Sequence, residues 1–313
     1  MQILLVFVHS VHLLVVGIGV CLPLVVILLN RKIIRLEDEP HQEAVWIMSR
    51  SLIKHSLTAI LIGSLLGFAL AGVVWSEEFH QRCHLVMTKF MWAGVEWLTS
   101  ILLLIVVFAQ WRATRGGVRA FWIRSLVLLI ASINLLYHLP VLFIVISALP
   151  DAQVEALITA QDELSSSAFR TIAYTNENLS RLLHSSLAML TTAFAYVAMI
   201  GIRQANQNTA GPRRDSAISI CRWAARNVLI TLFLQIAFGL WTLLAMSRPR
   251  MQNLLGEDLP ATALFATAIV LLFFQLQQWT GLLGERIDRR RLVQAISTLI
   301  TLYFCMAAAS SLS

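Results

Sequence analysis

Charge is the scarcest commodity in this chain. Only 13% of its 313 residues are Asp, Glu, Lys or Arg, while 58% are hydrophobic, with mean hydropathy +0.75. That balance excludes a soluble catalytic domain and marks a polytopic membrane protein. Cysteine is sparse too: Cys21, Cys83, Cys221 and Cys305 are scattered without a CxxC pair, which argues against a disulfide framework and a zinc knuckle. No Gly/Ser linker and no acidic tail divides the chain. The net charge of +7 comes from short basic clusters between apolar runs, so it reads as topology rather than as a nucleic-acid surface. No Lys or Arg precedes the first apolar run and no small-residue cleavage site follows it, so residues 3–29 are expected to remain as a helix.

What is present is a series of spans. About 20 apolar residues cross a bilayer core. Eight such stretches occur, at 3–29, 51–75, 87–111, 120–149, 181–202, 226–246, 259–282 and 292–310. The fold class is therefore all-α, a helix bundle of about eight transmembrane helices. Basic residues follow alternate spans: Arg31, Lys32 and Arg35; Arg112, Arg115 and Arg119; Arg203, Arg213 and Arg214; Arg286, Arg289, Arg290 and Arg291. The intervening connections are poorer in them, and 150–180 is acidic, with Asp151, Glu155, Asp162, Glu163 and Glu177. By the positive-inside rule both termini face away from the cytoplasm.

With that orientation the polar residues of the spans fall at comparable depths. At 1.5 Å per residue, His12 and Glu96 lie roughly 14 Å below the outer ends of the first and third spans, His138 roughly 17 Å below that of the fourth, and His184 roughly 5 Å below that of the fifth. His9 accompanies His12 in the outer half. Ionisable groups in hydrocarbon are costly and mark functional sites by default, so a shared outer-leaflet layer of His12, His138, His184 and Glu96 is the candidate site. Neutral imidazoles ligate haem iron. Gly17 and Gly19 follow His12, and Ser185, Ser186, Ala188, Thr191, Thr192 and Ala193 follow His184, leaving small faces beside each ring. The competing reading is that each His hydrogen-bonds a neighbouring helix. His138 also shares a face with Asn134, which suits a polar seam without a cofactor. Glu96 suits a proton relay, a haem pocket or an inter-helix hydrogen bond.

Other motifs carry less. Gly63 and Gly67, with Ala69, Ala71 and Gly72, permit close helix approach. His80-Gln-Arg-Cys83-His84 lacks the first cysteine of a CxxCH haem-attachment pattern and reads foremost as a polar loop. Asn178-Leu-Ser180 matches a glycosylation sequon. No repeat of the two halves is obvious, and no Gly/Pro-broken span marks a transporter midplane.

The residues His12-Leu-Leu-Val-Val-Gly17-Ile-Gly19, Trp92-Ala-Gly-Val-Glu96, Ala131-Ser-Ile-Asn134 and Leu182-Leu-His184-Ser185 resemble, in identity and spacing, the first, third, fourth and fifth helices of cytochrome bd-type quinol oxidase subunit I. The resemblance covers roughly residues 1–205. It implies that His12 is an axial ligand of a high-spin haem, that His184 is an axial ligand of a low-spin haem, and that Glu96 belongs to the proton or haem-pocket apparatus. Leu104 stands where the family has a second Glu, and the link 247–258 is short where the family has a long quinol loop. The seventh span has no Met and the eighth no carboxylate. The resemblance thus implies a shortened relative holding one or two b-type haems, with His12, His184 and His138 as cofactor-binding candidates. Its expected setting is a larger respiratory complex of the bacterial inner membrane, with other membrane subunits and a quinol or soluble cytochrome donor. On this reading residues 1–205 form the haem-binding bundle, and 206–313 add spans for scaffold or subunit contact. The alternative is a non-redox membrane protein, either a structural subunit that has lost haem or a small-solute transporter.

Overall fold

A computed structural model describes residues 2–33, 39–113, 118–207, 211–284 and 288–312, with helices and no strand among them. Arg35, Arg115 and Arg286 lie outside the described residues. Among the described residues, eight helices are long and apolar enough to cross a membrane: α1 (Gln2–Ile33), α2 (Glu39–Val73), α4 (Met87–Ala113), α5 (Val118–Ala148), α8 (Asn176–Gln207), α9 (Pro212–Ala245), α11 (Leu259–Gly281) and α12 (Arg289–Leu312). The chain is an all-α polytopic bundle and an integral membrane protein. α2 and α9 start several turns before their apolar stretches, at Glu39 and Pro212. Their first turns carry charges, which end a hydropathy window but not a helix.

Short helices close the outer connections. α3 (Glu77–His84) forms where a polar loop was expected, because Ser76 caps it by accepting from the Phe79 N–H at 3.1 Å and Glu77 and Glu78 fill its first turn. α6 (Asp151–Ala160) and α7 (Ser166–Ala173) lie in the acidic connection, and α10 (Arg248–Gln252) precedes a π turn at Asn253–Glu257. Arg82 of α3 ties this cap to the end of α5. Its guanidinium donates to the Leu149 carbonyl at 2.6 Å and pairs with Asp151 and Glu78.

Close approach of backbones builds the interior, as van der Waals packing must where lipid competes for apolar surface. A Cβ on Gly19 would lie 2.9 Å from the Ile60 backbone nitrogen, and one on Gly63 would lie 2.6 Å from Val16 Cγ2. The Gly63/Gly67 face therefore serves helix packing, as its spacing suggested. Ser56 seals the same interface by donating to the Gly19 carbonyl at 2.5 Å.

The eight spans form two sets of four. Exchanging α1, α2, α4 and α5 with α8, α9, α11 and α12 preserves which spans touch, though not how extensively. α1–α2 answers α8–α9, α2–α4 answers α9–α11, and α4–α5 answers α11–α12. α1–α5 answers α8–α12 and α1–α12 answers α8–α5, while α1–α8 and α2–α9 map onto themselves. This is a parallel internal repeat about an axis along the membrane normal. The sequence carries it: His12, Arg31, Arg50, Lys54 and Gly67 are matched, at one constant offset, by His184, Arg203, Arg222, Arg226 and Gly239. Ala93, Ser100, Val107 and Trp111, all buried, are matched at a second, slightly shorter offset by buried Ala261, Ala268, Gln275 and Trp279. A search for matched halves misses this because lipid-facing positions accept any apolar residue, and only packing and charged positions retain identity.

The main core occupies the inner half of the bundle, around Val20–Leu29, Leu52, Ile53, Phe194 and Ala224–Val228. The outer half is different. From Leu4 to Val16 only Ser10 of α1 is buried, although α1 packs against α2, α5, α8 and α12. Val11 to Val16 are all half-buried. Six successive residues circle a helix of about 3.6 residues per turn, so this stretch keeps partial accessibility on every side.

Candidate functional site

His12 and His184 are brought to the same level. A Cβ on Gly17 would lie 3.1 Å from Met189 Cα, which fixes the register of the parallel helices α1 and α8. Each histidine stands five residues before that contact. Both rings turn away from it, each toward the next span of its own half. His12 Nδ1–H donates to the Gly63 carbonyl at 2.9 Å, and its Cε1 lies 3.0 Å from where a Gly67 Cβ would be. His184 Cε1 lies 3.1 Å from the corresponding point on Gly239. Two glycines therefore seat two imidazoles in equivalent places.

The rings differ in their bonding. With Nδ1 donating, the His12 tautomer leaves Nε2 with its lone pair, the arrangement by which a backbone carbonyl orients a metal-ligating histidine. His184 Nδ1 is buried and meets no partner at hydrogen-bond geometry, the Gln235 backbone being its closest polar neighbour. A buried polar atom left unpaired is destabilising by about 1–3 kcal/mol.

Glu96 and His138 are brought together, but apart from this glycine-seated pair. His138 Nδ1 lies 2.7 Å from Glu96 Oε2, bridging α4 and α5. Glu96, not Asn134, is thus the partner of His138. Tyr137 presents its ring edge-on to His138 at 5.0 Å, and its hydroxyl meets that of Tyr174 at the outer cap.

A haem iron takes one or two axial side chains, so the fit rests on single imidazoles and on room for the ring. The Nε2 of His12, which meets no partner, has the chemistry of an axial ligand, whereas the Nδ1 of His184 is buried 3.4 Å from the Gly239 Cβ position and could not reach an iron. The apolar cavity bounded by Cys21, Leu136, Leu183, Leu187 and Phe238 does not serve. At about 200 Å³ it is below the roughly 300–1,000 Å³ of cofactor pockets. Among the described residues no three His, Cys, Asp or Glu gather as a metal-ion site.

The remaining motifs resolve as structure. His80 stacks on Trp75 with centroids 5.5 Å apart, and Cys83 is a free, half-buried thiol whose pKa is raised by burial. Asn178 is buried and donates to the Ile172 carbonyl at 2.8 Å, so the sequon is consumed in the first turn of α8. On the inner side, Arg124 lies 4.6 Å over the Trp46 ring and 5.2 Å over Trp111, and Arg50 lies 5.1 Å over Phe108. Sequence reasoning took the basic residues as topology signals alone; the tryptophan one turn before Arg50 was the available clue.

Neither a family model nor a curated protein matches the chain. The geometry defines the class, a duplicated four-span membrane bundle with histidines seated on glycines in its outer half.

Proposed function

We propose that the protein is a membrane-integral, haem b-binding electron-transfer subunit of a respiratory complex in a bacterial inner membrane. One observation carries the reading: His12 and His184 occupy equivalent seats on Gly67 and Gly239, at one depth, in the half of the bundle where α1 is only half-buried. Bound haem would supply one-electron transfer. The chain's own part is to hold and orient the imidazoles. The Gly63 carbonyl fixes the His12 ring, while the packed inner half keeps water from reaching the site from the cytoplasmic side. Two equivalent seats suit up to two haems, with the remaining membrane subunits and the electron donor, quinol or soluble cytochrome, completing the complex.

The test is a reduced-minus-oxidised visible spectrum of the purified protein. A b-type band is expected, losing about half its amplitude in His184→Ala and about half in His12→Ala, the even split following from two equivalent axial sites. A colourless, folded preparation overturns the proposal. The second reading, a non-redox membrane protein, is favoured by the bond from His12 to the Gly63 carbonyl, which a purely packing imidazole also makes. Parallel repeats about the membrane normal also occur in transporters. The colourless outcome would select it.

A further inference from the structure

The two membrane faces hold their cations differently. On the outer side Arg82 pairs with Glu78 and Asp151, and Arg181 and Arg250 meet Glu177 at 3.9 Å and 3.1 Å. On the inner side Lys54 of α2 and Arg203 of α8 are exposed and meet no carboxylate among the described residues. His55 lies within electrostatic reach of both, and Tyr196, two turns before Arg203, within reach of Arg203. The rings of His55 and Tyr196 meet edge-to-face with centroids 5.7 Å apart, which brings α2 and α8 together at this level. The Tyr196 hydroxyl has no hydrogen-bond partner among the described residues. The nearest described carboxylates toward the inner ends of α2 and α9, Glu43 and Asp215, stand eleven residues before Lys54 and Arg226, roughly 16 Å along their helices. Two cations, an imidazole and a phenol therefore gather without a counter-charge from the protein.

A topology signal does not account for them. Positive-inside selection needs cations in the inner connections and is indifferent to their exact place. Lys54 instead stands three residues inside the second apolar stretch, roughly 5 Å past its start, where a charge is costly to hold. Both cations also recur across the repeat: Lys54 and Arg203 are matched by Arg226 and Arg31, at the offset that relates His12 to His184. The counterparts of His55 and Tyr196 are Asn227 and Leu24. The charges thus stand in both halves, and the phenol donor stands only where α2 meets α8.

Depth specifies the occupant. Leu52, Ile53 and Ser56 are buried while Lys54 between them is exposed, so the Lys54 stem runs along the bilayer and carries its ammonium to the inner headgroup level. The anion that the bilayer supplies at that level is a lipid phosphate, and basic groups between spans on the cytoplasmic side receive anionic headgroups. A soluble phosphate meets the same charges without an acyl chain to hold it at this depth.

We infer that Lys54, Tyr196 and Arg203 form a site for the headgroup phosphate of an anionic phospholipid of the inner leaflet. The two cations meet its charge, and the Tyr196 hydroxyl donates to a phosphate oxygen. Haem binding is not required for it. The purified full chain in detergent is titrated with phosphatidylglycerol and, in parallel, with phosphatidylcholine of the same acyl chains, and bound lipids are counted by native mass spectrometry. The first phosphatidylglycerol is expected to bind at least about tenfold more tightly than phosphatidylcholine, and Lys54→Gln and Arg203→Gln are each expected to weaken it about fivefold. Tyr196→Phe, which changes no charge, is expected to weaken it about threefold. Arg213→Gln, which removes a charge from the same membrane face outside the site, is expected to leave it unchanged. Equal affinity for the two lipids, equal losses in Arg213→Gln and Arg203→Gln, or an unaltered affinity in Tyr196→Phe overturns the inference. Displacement of the bound lipid by inorganic phosphate would assign the charges to a soluble anion and overturn it as well.

Discussion

Gly67 and Gly239 each carry the imidazole of the preceding span, His12 and His184, at separations tighter than an ordinary Cβ contact. A methyl group on Gly239 would press on His184 Cε1 at 3.1 Å, and one on Gly67 on His12 Cε1 at 3.0 Å. Gly239→Val is therefore expected to displace the His184 ring and lower stability by about 1–3 kcal/mol through overpacking. Thermal unfolding in detergent measures this. Gly94→Val is the control, since nothing lies within 4 Å of its Cβ position.

The α1–α2 interface should be less forgiving. At Gly19 the Ile60 backbone itself stands 2.9 Å from a new Cβ, so the neighbour cannot rotate away. Gly19→Ala is expected to separate the two helices and cost about 1–3 kcal/mol, whereas Gly72→Ala, with open space around it, is neutral. A cross-link between cysteines placed at Val16 and Gly63 would report the separation directly, forming less readily in the Gly19→Ala background.

Arg82 holds the end of α5 through the Leu149 carbonyl and through Asp151. Arg82→Ala leaves that carbonyl without its donor, at a cost of about 1–3 kcal/mol. The loss should appear as faster amide hydrogen exchange confined to residues 146–154 and α3, with the inner core unchanged. Uniform exchange across the protein would contradict a local clasp.

Burial raises the Cys83 thiol pKa above its ordinary value. The thiolate therefore forms at higher pH in the folded protein than in the unfolded chain. Its contribution to stability is fully present below the ordinary thiol range and is lost as pH rises through the folded value. Alkylation of Cys83, followed by mass spectrometry, should rise at higher pH than that of a free cysteine. Cys21, Cys221 and Cys305, all buried, should react more slowly still.

The two halves meet through α1–α8, α1–α12, α2–α9 and α5–α8 and are joined at the outer face by α6 and α7. Gln161 sits there in an exposed left-handed turn, φ 54°. Coexpressed fragments 1–161 and 162–313 are expected to associate into the intact bundle, read by co-purification and by an unchanged unfolding midpoint. Failure to co-purify would contradict a division at that connection.

The span count and the helical class were legible in the sequence because the bilayer imposes a long apolar stretch on each crossing. Helix ends at α2 and α9 were not, since hydropathy reports the hydrocarbon boundary and not the end of hydrogen bonding. The equal depth of His12 and His184 follows from a helix register that no local pattern reveals. Span boundaries place them at unequal depths because α8 begins more than a turn before its apolar stretch. The pairing of His138 with Glu96 was hidden because Asn134 is the nearer polar group on the same helix, while contacts between helices depend on how they are rotated. The repeat was hidden for a related reason: its offset changes between the second and third spans of each half, where Gly67 and Ala93 stand 26 residues apart but their counterparts Gly239 and Ala261 only 22, so no single shift of the sequence aligns all four spans.

Each half crosses the bilayer an even number of times. A tandem copy of such a unit enters the membrane with the topology of the original, and no re-orientation is needed for the two to face each other. Once fused, the copies are released from having to match. One half carries a polar couple at Glu96 and His138, the other has Leu264 in the place matching Glu96, and this asymmetry leaves intact the contacts that join the halves.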